Sequence, residues 1–150
     1  MSDIEDIKQL KYRYFRTLDL KLWDEFEATL MPDATADYAG LTFGSRADLV
    51  GYMRENLGPD RITLHQAHHP EIVVDGDTAT GTWYLQDRVI VAEFDFDLEG
   101  AGIYADRYVR TDDGWRFAHT GYRRTYELSS SLKGKTLKVG DAYGLGGLGV

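Results

Sequence analysis

At 150 residues the chain has the size of one domain, and 43% hydrophobic against 28% charged residues is a balance that supports a sizeable core. A formal net charge of -8 disfavours nucleic acid and anionic membranes as partners, since both are held by clustered cations. The absence of cysteine excludes disulfides, zinc thiolates, iron–sulfur clusters and cysteine nucleophiles.

The opening MSDIEDIKQL has no cationic stretch followed by an apolar run, so it does not read as a signal peptide. No apolar run approaches the roughly 18–20 residues of a membrane span. The expectation is a cytoplasmic soluble protein. Ser2 with Glu5 forms a capping-box pattern, and apolar residues follow at Ile4, Ile7, Leu10, Tyr14, Phe15 and Leu18, the spacing of a helix with one buried face. A second short helix is expected through Trp23, Phe26 and Leu30, ended by Pro32. Residues 34–43 read as a short strand pair turning at Gly40. Ser45 caps a third helix carrying Leu49, Val50, Met53 and Leu57, which Gly58-Pro59 stops.

Beyond Gly58 the chain becomes β-rich. Segments 61–74 and 78–94 flank the hairpin signal Asp75-Gly76-Asp77, and 102–111 and 115–127 flank Asp112-Asp113-Gly114. EFDFDLEG reads as an acidic connection between the hairpins. Helices followed by an antiparallel meander predict an α+β fold, a curled sheet whose concave face is closed by helices. The domain is expected over 1–128, with 129–150 a Gly- and Ser-containing tail, either flexible or laid across a neighbouring subunit.

In TWYLQDRVIV, alternation places Trp83, Leu85, Asp87, Val89 and Val91 on one face. A carboxylate in an apolar row needs a partner, so Asp87 pairs with an arginine or faces a histidine in a pocket. Gly102, Tyr104, Asp106 and Tyr108 share a face of the next strand. In the last strand Trp115, Phe117 and His119 lie opposite Ala118, Thr120, Tyr122 and Arg124, unless a bulge at Gly121 exchanges the faces. Three of four histidines cluster at His65, His68 and His69. A strand would put His65 and His69 on one face, and Pro70 argues against the helical spacing that a His-x-x-His metal site needs. No metal is expected. One inward imidazole oriented by Asp19 or Asp87 suffices for acid–base work, with His68 and His69 on the surface.

The stretch IKQLKYRYFRTLDLKLWDEFEATL, then HQAHHPEI, DTATGTWYLQDR and TGYRRTYE, resembles SnoaL-like members of the nuclear transport factor 2-like superfamily, and in particular bacterial bile-acid 7α-dehydratases, over roughly residues 4–127. The resemblance implies a cone of curved sheet plugged by helices. It implies functional roles for Tyr14, Asp19, His65, Asp87 and Arg124. Scytalone dehydratase and hexachlorocyclohexane dehydrochlorinase are similar in pairing a helix-end aspartate with a strand histidine, here Asp19 and His65. His119 departs from the bile-acid pattern, and the tail beyond Leu128 has no counterpart. The expected function is a cofactor-independent, dehydratase-like lyase acting on a cyclic apolar, steroid- or polyketide-like substrate. Trp83, Leu85 and Tyr104 are expected to line its pocket. An isomerase or cyclase on the same scaffold, or a binding protein without chemistry, are the alternatives. Tyr84, Ile90 and Ile103 fall on the outer sheet face by parity, which with the resemblance implies a homo-oligomer, a trimer or else a dimer.

Overall fold

The computed structural model describes residues 2–142. Its elements run α1 (Asp3–Asp19), α2 (Trp23–Glu27), β1 (Leu30–Tyr38), β2 (Leu41–Phe43), α3 (Arg46–Asn56), β3 (Arg61–Asp75), β4 (Thr78–Val91), a short 3-10 turn (Ala92–Phe94), β5 (Phe96–Thr111) and β6 (Gly114–Ser130). The six strands form one curved, unclosed sheet in the order β2-β1-β6-β5-β4-β3, with β1 parallel to β6 and every other pair antiparallel. This is the expected α+β cone.

Helix α1 starts where Ser2 Oγ accepts the Glu5 N–H at 3.2 Å. Its stripe of Ile7, Leu10, Tyr14, Phe15 and Leu18 is buried against the concave face, Tyr14 on Phe117 of β6 and Phe15 on His65 of β3. Ser45 likewise accepts the Asp48 N–H at the start of α3. Inward rows on β4 (Ala79, Trp83, Leu85, Asp87) and β5 (Tyr104, Asp106, Tyr108) are buried in the predicted phase. Among the described residues no helix is long and apolar enough to cross a membrane.

Four local expectations are corrected. Leu30 opens β1 rather than closing α2, which ends at Glu27. Pro32 is tolerated inside β1 because β2 pairs only with Ala36–Tyr38, and the β1–β6 register slips between Leu30 and Thr35, so no ladder bond is lost there. EFDFDLEG is half strand: β5 begins at Phe96, since Arg88 and Lys135 bind Asp97 at 2.8 and 3.0 Å and offset its burial. In β6 the register slips not at Gly121 but between Arg124 and Tyr126 and, of more consequence, at a bulge between Phe117 and His119. It lets Trp115, Phe117, Thr120, Tyr122 and Arg124 all face inward, while His119 faces out and meets Thr35 Oγ1 at 2.7 Å. In β3 a bulge between His68 and Glu71, with His69 at φ 49°, turns His69 beside Tyr84 on the outer face, so His65 and His69 do not share a side.

Beyond β6 the chain folds back on the start of β5. Ser131 Oγ and the Leu132 N–H bind the Asp95 carboxylate at 2.5 and 2.8 Å. The expected tail boundary after 128 falls inside β6, and its last eight residues, 143–150, lie outside the described residues.

Gly121 has a steric reason. A Cβ there would lie 2.6 Å from the backbone oxygen of Asp37 on the parallel neighbour. Gly121→Ala is expected to lower stability by about 1–3 kcal/mol in urea denaturation. Gly51→Ala, in α3 with open space around it, is expected to raise stability by about 0.5–1 kcal/mol in the same measurement.

Candidate active site

Asp19 is the last residue of α1, where the helix dipole disfavours an anion. Three donors from β3 compensate. Thr63 Oγ1 and His65 Nδ1 donate to Asp19 Oδ1 at 2.8 and 2.6 Å, and the His65 backbone N–H donates to Oδ2 at 2.9 Å. A carboxylate only accepts, so Nδ1 carries a proton and Nε2 is the acceptor nitrogen of the neutral ring. Stacking on Phe15, with ring centres 5.4 Å apart, fixes the imidazole plane. The His65 side chain is 13% exposed, so it is turned into the protein.

Asp87 faces His65 directly across the β3–β4 register. It is tied to Arg124 of β6 by two hydrogen bonds of 2.5 and 2.8 Å, and Arg124 Nε also lies 3.2 Å from Glu127. The Asp87 carboxylate raises the Arg124 pKa. Gly100 of β5 makes room for this pair: a Cβ there would come within 2.4 Å of Arg124 Nη1.

Thr63, His65, Asp87 and Arg124 line a cavity of about 250 Å³, with Asp19 behind His65. Its floor is aromatic and polar at once. Tyr14 and Tyr38 share a 2.5 Å hydroxyl–hydroxyl hydrogen bond, and the Tyr104 and Tyr122 rings adjoin them at 6.4 Å from Tyr14 and 5.5 Å from Tyr38. Burial pushes the hydroxyls of Tyr14, Tyr38 and Tyr104 well above the ordinary tyrosine pKa, with smaller contributions from their neighbours. They remain hydrogen-bond donors at neutral pH. Leu18, Met53, Leu57 and Val89 supply apolar wall, and Leu41 and Tyr52, partly exposed, border it.

Of the residues singled out in the sequence, Tyr14, Asp19, His65, Asp87, Arg124 and Tyr104 are brought together here. Asp19, not Asp87, makes the hydrogen bond to His65. Trp83 and Leu85 do not line the cavity: both are core side chains, and Trp83 Nε1 donates to Tyr108 at 2.9 Å. Their parity is inward, but the cavity lies toward the Asp87 end of β4. His68 and His69 are also apart from it.

Sequence reasoning passed over Tyr38, Thr63, Arg61 and a buried ion pair, whereas Tyr122, placed beside Arg124 by alternation, does line the cavity. Lys11, at 0% exposure, meets Asp106 at 2.8 Å and lies 3.4 Å from the centre of the Tyr104 ring. Asp106 also accepts from Thr120 and Tyr108. Burial lowers the Lys11 pKa to about 8, against the opposing pull of Asp106. A depression of about 230 Å³ on the outer face, lined by Asp37, Ile103, His119 and Arg123, is a lesser candidate, since its Arg123 and Asp37 are already paired at 3.0 Å. Among the described residues no three His, Cys, Asp or Glu side chains are grouped to hold a metal ion.

Residues 1–121 match the SnoaL-like domain. The chain belongs to that family. In sequence, the Mycobacterium tuberculosis protein Rv2910c is 29% identical over 119 residues, spanning 77% of this chain and 81% of its own. In structure the domain is similar to Kfla4162 from Kribbella flavida, with TM-score 0.78 and 24% identity over 84% of this chain and 93% of that one. A hexachlorocyclohexane dehydrochlorinase, LinA type 2, superposes with TM-score 0.78 at 17% identity, covering 90% of this chain and 92% of its own. A candidate scytalone dehydratase from Novosphingobium aromaticivorans gives 0.77 at 19%, covering 89% and 95%. At these identities the structural likeness establishes the shared SnoaL-like fold.

The tyrosine floor carries a pH signature. Unfolded tyrosines lose their protons near pH 10, whereas the buried ones keep theirs. Their stabilising contribution is therefore complete below pH 10 and lost as pH rises above it, by about 1.4 kcal/mol per pH unit for each tyrosine. Urea midpoints are expected to fall as the pH is raised beyond 10, and Tyr38→Phe to reduce that slope.

Proposed function

We propose that this protein is a cofactor-independent acid–base lyase that eliminates water, or a similar small group, from a cyclic apolar substrate. The observation that carries the reading is the Asp19–His65 pair at the wall of a tyrosine-floored cavity. His65 Nε2 takes the proton from the carbon next to a substrate carbonyl. The C–H electron pair becomes the new double bond as the hydroxyl departs with its C–O pair. The imidazolium then gives its proton to that hydroxyl, which leaves as water. Asp19 holds the ring and stabilises its cation between these transfers. Tyr14, backed by Tyr38, donates to the carbonyl oxygen as negative charge grows there, a contribution of about 3–4 kcal/mol for one such donor. Arg124, held by Asp87, faces the departing group. The fold shared with a dehydrochlorinase and a candidate dehydratase supports an elimination; the resemblance to bile-acid 7α-dehydratases points the same way.

A panel of cyclic β-hydroxyketones, followed by the ultraviolet absorption of the conjugated product, tests the reading. His65→Gln is expected to reduce turnover by about 10²–10⁴-fold, while His68→Gln changes it little. Product that keeps the hydroxyl would indicate isomerisation instead, and full turnover by His65→Gln would remove the mechanism.

The outer face of β3, β4 and β6 exposes Leu64, Tyr84 and Tyr126, each at least half accessible. We propose that this face joins copies of the chain into a trimer, or else a dimer. Light scattering at micromolar concentration is expected to give a multiple of 17.0 kDa; a monomeric mass overturns the assignment.

A further inference from the structure

Apart from the tyrosines, four charged or chargeable side chains line the cavity: Arg61, His65, Asp87 and Arg124. Three are engaged with one another or with the wall. His65 is held by Asp19, and Asp87 by Arg124, whose guanidinium is spent on that carboxylate and on Glu127. Arg124 is thus neutralised where it stands and is a poor receptor for a second anion.

Arg61 differs. It opens β3 and is only partly buried. Its backbone is fixed, with the N–H bonded to Gly58 O at 3.0 Å and the carbonyl accepting from Lys21 Nζ at 2.6 Å. Its guanidinium has the Phe94 ring 5.8 Å away, and among the described residues no acidic side chain forms an ion pair with it. The protein carries net charge -8, so an anionic ligand meets a repulsive average field and must be received locally. An arginine that lines the cavity and has no acidic partner among the described residues supplies that local receptor, with a planar fork suited to a carboxylate.

We propose that Arg61 is the anion receptor of this cavity and that its substrates are one- or two-ring apolar acids bearing a carboxylate remote from the reacting carbon. The inference rests on the reading of His65 as the proton-transferring group for its reaction geometry, though not for binding. Arg61 and His65 are four residues apart on one strand, about 13 Å between their Cα atoms before the side chains reach toward each other. That spacing sets the separation between carboxylate and acidic C–H. Leu18, Met53, Leu57 and Val89 face the ring body between them, and a cavity of about 250 Å³ limits how much of a ligand is enclosed.

The test compares 2-naphthoate with 2-naphthamide, which share ring and shape and differ in charge. Binding to the full chain is measured by isothermal titration calorimetry. Wild type is expected to prefer the acid by about tenfold or more. In Arg61→Met the two ligands are expected to bind alike, and Arg61→Lys to keep part of the preference. In wild type, added salt is expected to weaken naphthoate and leave naphthamide unchanged, a readout that needs no variant. Equal affinities in wild type, failure of both ligands to bind, or a preference that survives Arg61→Met each overturn the proposal. The same ratio measured in His65→Gln separates the two readings. An acid preference that persists there, while turnover is also undiminished, rejects the catalytic role of His65 and leaves Arg61 as the receptor.

Discussion

The interaction on which the molecule turns is the Asp19 carboxylate at the end of α1. It takes three hydrogen bonds from Thr63 and His65 of β3. These contacts do two jobs. They fasten the plugging helix to the edge strand of the cone, and they fix the tautomer and plane of the one imidazole in the cavity. Neither half is independent: a helix end elsewhere leaves the histidine without an orienting acceptor, and a shifted β3 leaves a carboxylate uncompensated against an unfavourable dipole.

The remainder of the cavity shows how a polar floor is kept inside an apolar cone. Tyr14 and Tyr38 satisfy one another, and the Lys11–Asp106 pair lies under Tyr104 with Thr120 and Tyr108 filling the remaining acceptor positions. A buried charge pair costs desolvation that only close geometry and further hydrogen bonds offset, and here every one of those bonds comes from a different element. The arrangement favours a single packing of α1 against β5 and β6, and so a single placement of the tyrosine hydroxyls.

Much of this was legible in the sequence because it depends on alternation. Inward parity on β4 and β5 follows from spacing alone, and so do the apolar stripe of α1 and the caps at Ser2 and Ser45. The resemblance named Asp19 and His65, and the coordinates bring them to 2.6 Å. What escaped has common causes. The bulge at Phe117–His119 shifts the phase of a strand by one residue without any residue type that announces it, and at His68–Glu71 Pro70 signals an interruption but not its direction. Trp83 and Leu85 have the right parity, yet alternation gives the face and not the depth along the cone. Lys11 was visible as a cation within the stripe between Ile7 and Tyr14, and Asp106 as an anion in an inward row, but only the fold shows that the two meet. Tyr38 belongs to a strand whose neighbour in space, β6, lies far away in sequence.

That last pairing has a kinetic consequence. The strand formed by residues 30–38 sits beside the one formed by residues 114–130, and they run in parallel, so no local hairpin can bring them together. The cone therefore closes only when the end of the domain has arrived, with the loop-closure entropy that such distant contacts demand. During synthesis Tyr14 of the opening helix must wait for the last strand to bring the Phe117 ring on which it packs. A chain truncated before that strand would lack Tyr122 from the cavity floor, Arg124 from its wall and the Phe117 ring under its first helix.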